Sequence, residues 1–151
     1  MANTLYDIAR EGFLTEITVG AVTEKIDWIN DNIRVALVDE NYDGSLPNMS
    51  IHTSYDDIEA FVAAEADLAG RTTDGAGTTS ADTVTFTAVP PGDAIESIVI
   101  YKSDNAGPPS VNADCPLIAF MDEAASGLPI VPNGGDITVL WNSGSGEIFR
   151  I

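Results

Sequence analysis

Ala94-Ile-Glu-Ser-Ile-Val-Ile-Tyr-Lys102, Pro116-Leu-Ile-Ala-Phe-Met-Asp122 and Asp136-Ile-Thr-Val-Leu-Trp-Asn142 follow one another in the last third of the chain. Residues 98–101 and 117–121 are nearly unbroken apolar runs, too short for ordinary helices and rich in β-branched and aromatic side chains. They predict three consecutive strands forming a sheet interior, with both faces covered. The segments between them, Asp104-Asn-Ala-Gly-Pro-Pro-Ser110 and Gly127-Leu-Pro-Ile-Val-Pro-Asn-Gly-Gly-Asp136, carry the Gly and Pro residues that reverse a chain.

Working outward, Thr83-Val-Thr-Phe-Thr87 alternates cleanly, with Val84 and Phe86 inward, before Pro90-Pro-Gly92 turns the chain into the central strands. Glu147-Ile-Phe-Arg-Ile151 reads as a final strand, paired through a hairpin at Asn142-Ser-Gly-Ser-Gly146 with the strand ending at Trp141. Residues 70–82, GRTTDGAGTTSAD, match no phosphate-binding loop and read as a hairpin connection. Ile33-Arg-Val-Ala-Leu-Val38 is a strand with Ile33, Val35 and Leu37 on one face.

The N-terminal third mixes signals. Thr4 is placed as an N-cap with Asp7 three residues on, and Leu5, Ile8, Ala9 and Phe13 fall at helical spacing. A helix over residues 5–15 is expected, packed on the sheet or presented to a partner. From Thr15 to Asn32, Ile17 and Val19 alternate as in a strand, Gly20 breaks the run, and Val22, Ile26 and Ile29 fit a second short helix. Trp28 is expected at the core's edge. Residues 58–68 support two readings, since alanine and glutamate favour a helix while Phe61, Ala63, Glu65 and Asp67 alternate against Val62, Ala64, Ala66 and Leu68.

Residues 39–57 read as a long loop, and long loops in compact domains are often functional. Tyr42, Asp43, Leu46, Met49 and Tyr55 are the candidate partner-contact residues on it. Asp39, Asp43, Asp56 and Asp57 lack the spacing of a calcium loop and read as solvated acids. His52 reads as a surface histidine. Cys115 is the single cysteine, so it has no internal disulfide partner and no thiolate metal site. Ser nucleophile elbow, HExxH and Ser/His/Asp patterns are all missing, and no carboxylate pair stands in an apolar setting. The expectation is a protein that is not an enzyme and uses no cofactor or metal.

At 151 residues and 44% apolar content the chain is sized for a single domain, 1–151, with a core of its own. Its apolar runs fall short of the roughly 20 residues a membrane-spanning helix needs. The opening residues resemble no secretory signal, so synthesis and retention in the cytoplasm are expected. Twenty-four acidic against six basic residues give a formal charge of −18, which repels phosphate backbones and argues against nucleic acid as a partner. Such acidity serves solubility or a salty environment; the sharper reading is a partner with a basic surface.

The opening Leu5-Tyr-Asp, residues 33–39, 82–89, 94–102, 117–122 and 128–137, and the closing Ile148-Phe-Arg-Ile151 together resemble a group of small virion structural proteins of tailed bacteriophages. The PNGGDI segment between two strands, joined to a terminal IFRI, is the distinctive combination. Residues 15–27 look like an insertion relative to that pattern, and 43–60 match poorly. The resemblance implies a virion protein; extrapolated within the group, it implies a capsid decoration (cement) protein on the outer head surface. The major capsid protein would be its partner, a homotrimer its assembly and neither nucleic acid nor membrane a target. The fold expected is mainly β, an antiparallel β-sandwich with a short N-terminal helix. The competing function is a tail- or fibre-associated carbohydrate- or receptor-binding module, with Tyr42, Tyr55, Trp28 and Trp141 as stacking aromatics; for Trp141 core packing is the favoured reading.

Overall fold

The computed structural model describes residues 3–42, 48–124, 126–142 and 146–151. In chain order the strands and helix are β1 (Thr4–Leu5), α1 (Asp7–Leu14), β2 (Ile17–Val19), β3 (Val22–Glu24), β4 (Asn32–Asp39), β5 (Val62–Asp67), β6 (Thr72–Thr73) and β7 (Thr78–Ser80). They continue as β8 (Val84–Phe86), β9 (Ile95–Ser103), β10 (Leu117–Met121), β11 (Ile137–Val139) and β12 (Glu147–Arg150). Short 3₁₀ turns lie at Tyr55–Asp57, Glu59–Phe61 and Asn112–Asp114. The protein is mainly β, built from antiparallel sheets with one short helix near its N-terminus.

β9 and β10 are neighbours at the centre, as their apolar runs require. The main sheet runs β1-β10-β9-β4-β5, every pair antiparallel. Both of its faces are covered. On one, Ile33, Val35, Leu37, Ile98, Ile100 and Ile118 join a large apolar cluster with Ile17, Val19, Val84, Phe86, Val139 and Trp141 from the smaller sheets. On the other, Ala36, Val38, Val99, Tyr101 and Leu117 pack under Tyr6, Tyr42, Tyr55 and Ile58. A strand hidden on both sides has no polar face to show, which is why these runs do not alternate.

The third strand of the opening stretch behaves differently from its expectation. β11 leaves the main sheet and pairs with β8, Ile137 opposite Phe86 and Val139 opposite Val84. The PNGGD turn before it is clamped there: Gly134 N–H donates to Val89 O (2.9 Å), Val89 N–H to Gly135 O (2.9 Å) and Ala88 N–H to Asp136 Oδ1 (2.8 Å). The expected terminal hairpin is also corrected. β12 pairs with β7, in a sheet ordered β12-β7-β6, and not with the strand ending at Trp141. Trp141 is buried and donates Nε1–H to Asp82 O (2.9 Å), tethering the chain beside β7. There Thr79 Oγ1 both donates to Phe149 O (3.0 Å) and accepts from Phe149 N–H (3.3 Å).

The helix starts later than its spacing suggests. Thr4 and Leu5 pair with Phe120 and Ala119 as β1, and Tyr6 N–H adds a bond to Ile118 O (3.0 Å), so ladder formation holds residues 4–6 extended. Tyr6, not Thr4, is the N-cap, and Asp7 falls in the first turn. Residues 22–29 do not form the second helix; Val22–Glu24 pairs with β2 through the Gly20 turn (φ +59°), with Thr18 and Thr23 hydroxyls bonded at 2.9 Å. In the segment 58–68 the alternation prevails, because β5 completes its ladder on β4.

Candidate functional site

Of the contact residues expected on the 39–57 loop, Asp43 and Leu46 lie outside the described residues. Tyr42, Met49 and Tyr55 come together on the second face of the main sheet, packed inward. Tyr42 and Tyr55 are each only 6% exposed, so their rings are core and not a contact surface. Tyr42 packs near Phe61, Phe120 and His52, and its hydroxyl lies 3.0 Å from Tyr6 Oη and 2.8 Å from His52 Nδ1. Burial, with Tyr42 beside it, raises the Tyr6 phenol far above its ordinary value, so Tyr6 stays protonated. Met49 is half-buried; its carbonyl accepts Asp7 N–H (3.0 Å) while Ser50 Oγ donates to Asp7 Oδ2 (2.7 Å), fastening the loop to the start of α1. Among its described residues the loop shows Glu40, Asn41, Asn48, Ser50, Ile51 and Asp56 to solvent, Ile51 being 68% exposed.

Two of the loop acids, Asp39 and Asp57, are occupied by turns. Asp39 Oδ1 accepts Asn41 N–H (2.8 Å), and Asp57 Oδ2 accepts Thr53 N–H (2.7 Å) and Ser54 N–H (3.1 Å). Among the described residues, no group of three or more His, Cys, Asp or Glu side chains is placed to hold a metal ion. Trp28 and Trp141, the other aromatics a glycan could stack on, are 4% and 7% exposed. Trp28 meets Phe149 edge to face with ring centres 5.0 Å apart.

Sequence reading missed the cations that the fold draws inside. Arg34, between apolar neighbours of β4, is on the face opposite Ile33 and Val35. Its Nε donates to Tyr101 Oη (3.1 Å), Nη1 bonds Asp67, and Nη2 lies 3.9 Å from Glu65. Tyr101 and Tyr55 both donate to Glu65 Oε2, at 2.5 and 3.1 Å. Burial first, then the Glu65 carboxylate, raises both phenols well above their ordinary range, so they act as donors at any physiological pH. Lys102 reaches Glu24 (2.7 Å), Asp31 (3.0 Å) and Lys25 O (3.1 Å), joining β9 to the β3–β4 connection. Arg71 gathers carbonyls of Trp28, Ile29, Asp31 and Leu68. The available signal was strand parity: Arg34 shares a face with Ala36 and Val38, which are buried.

Cys115 is fully buried, with its thiol near Asp104 Oδ1 and Val111 O; burial pushes it up to about 12. Such a thiol is a packed side chain and a poor nucleophile. A cleft of about 330 Å³ lies between β1, β10 and β12. Among the described residues no helix is long and apolar enough to cross a membrane. Compared with known proteins, the chain matches no family model and no curated protein.

Proposed function

We propose that this chain is a bacteriophage virion structural protein, a capsid decoration (cement) protein that binds the outer surface of the head and stabilises contacts between major capsid subunits. The reading rests on the resemblance carried by the PNGGDI and IFRI segments. The structural observation that supports it best is how the cations are used. Three of the six basic residues, Arg34, Arg71 and Lys102, turn their charged ends to carboxylates, a phenol and carbonyls of the protein. The surface is left strongly acidic, with Arg10, Lys25 and Arg150 the basic residues outside these pairings. A stiff, doubly covered sheet with a repelling outer surface suits a module that must sit on a particle without sticking particles together.

A homotrimer set over the contacts between capsid subunits is the assembly this role favours. The carbohydrate-binding alternative needs exposed rings, and Tyr42, Tyr55, Trp28 and Trp141 are packed in the core. The test is reconstitution. Purified protein added to heads that lack it should bind to saturation and raise their resistance to heat and osmotic shock. Heads that take up no protein, or take it up with unchanged resistance, would sink the proposal.

A further inference from the structure

The side of the molecule is open where two edge strands stand near each other. Among the described residues, β1 ends the five-stranded sheet and β12 ends the three-stranded sheet, each paired with a strand on one side. The cleft of about 330 Å³ lies between them. Leu5, Met121 and Phe149 contribute apolar side chains, but polar groups, Arg10 and Arg150 among them, make up the larger part of its surface. Neither edge carries a lysine or proline, but β1 is only two residues long and β12 has charged ends and a register shift between Glu147 and Phe149, so the length open to strand addition is short.

With Arg34, Arg71 and Lys102 held by interior partners, Arg10, Lys25 and Arg150 are what remains of the six basic residues, and two of these three line one cleft. Both are steadied. Arg10 donates to Asp7 Oδ1 (3.0 Å) and Thr4 Oγ1 (3.1 Å), and Arg150 Nε donates to Ala76 O (3.2 Å). A guanidinium has five N–H donors, so each keeps donors for a ligand. An acidic segment is repelled by most of this surface and is met here by paired donors.

We propose that the cleft takes an extended peptide segment of a partner protein, with apolar side chains and at least one carboxylate, added as a strand at the β1 or β12 edge. Main-chain bonds to the edge supply affinity and the arginines select the acid. The inference rests on the decoration reading only for the segment's source, an extended arm of the capsid subunit.

The test uses the full chain and the capped peptide acetyl-Val-Glu-Val-Asp-Val-amide, with its Gln/Asn counterpart as control. Methyl NMR should show shifts at Leu5, Met121 and Ile148, with the acidic peptide bound about tenfold more tightly than the amide one. Arg10→Gln and Arg150→Gln should each weaken the acidic peptide by about tenfold and leave the amide peptide unchanged, which also shows that the variants are folded. Equal affinity for the two peptides, shifts elsewhere on the molecule, or no shift at millimolar peptide would overturn the proposal. Heads that bind the double arginine variant as well as the parent protein would overturn it while sparing the decoration role. Peptide selectivity with no uptake by heads would do the reverse.

Discussion

Lys102 follows the apolar run of β9, yet its ammonium is held by Glu24 and Asp31 and its side chain is 7% exposed. Removing one member of such a group leaves the others desolvated without compensation. Lys102→Met should therefore cost about 3 kcal/mol in urea unfolding, the low end for a buried pair because Glu24 and Asp31 keep some contact with water. A loss below about 0.5 kcal/mol would mean that the group contributes no more than a surface ion pair. Cys115 offers a second check. With its thiol raised to about 12, protonation is favoured in the folded state: the associated stability is complete below the unfolded thiol's value and is lost as pH rises through the folded one. At pH 8 the native thiol should react with a disulfide reagent about a thousandfold more slowly than the unfolded one. These roles were only partly legible. That Cys115 has no disulfide partner is plain from the sequence, but its burial is not. Arg34 and Lys102 were invisible as ion-pair centres because their carboxylate partners are distant in the chain and meet them only after strand pairing.

The β2–β3 hairpin is fixed at its tip. Gly20 has φ +59°, and a Cβ there would lie 2.1 Å from Asp114 Oδ1, the atom that accepts Ala21 N–H. Gly20→Ala should cost more than the roughly 1 kcal/mol typical of a left-handed position alone. Gly75→Ala, at φ +78° with nothing within 4 Å, should cost only that amount. Equal losses in thermal unfolding would show that the contact with Asp114 is not formed. Three turns depend on single carboxylates. Asp27 is lowered by its bonds from Asn30, and Asp74 by the backbone amides of Ala76 and Thr78. For Asp104, burial raises the carboxyl, but bonds from Ser110 and Val111 outweigh it and the net shift is downward. A lowered folded value means stability present above the unfolded value, about 3.9, and lost as pH falls through the folded one. Carboxyl NMR titration should place all three midpoints below about 3.9; midpoints at or above it would contradict these turns. Strands with a strong local pattern, β4, β8, β9 and β10, were readable from the chain. The partners of β11 and β12 were not, because Trp141 and Thr79 decide them through contacts 59 and 70 residues away in sequence. Alternation in residues 62–67 decided for a strand only once β4 was there to pair with it.

At the scale of the molecule, the interior consumes cations and the exterior keeps acids. Like charges on the surface repel one another and are screened by salt, while the buried pairs are screened far less. Raising NaCl from about 0.02 to 0.5 M at pH 7 should therefore raise the melting temperature by several degrees. A fall would mean that ion pairs exposed to solvent dominate stability. The candidate site was less legible than the fold. A loop rich in Tyr and Asp looks like a surface from its composition, but Tyr42 and Tyr55 are drawn under it to close the second face of the sheet. The arginine-lined cleft joins residues from both ends of the chain, which no local pattern reveals. If the protein decorates a capsid, quantitative mass spectrometry of purified virions measures that role most directly. Copies in a fixed proportion to major capsid subunits are the expected result; a handful of copies per particle, or none, would contradict it.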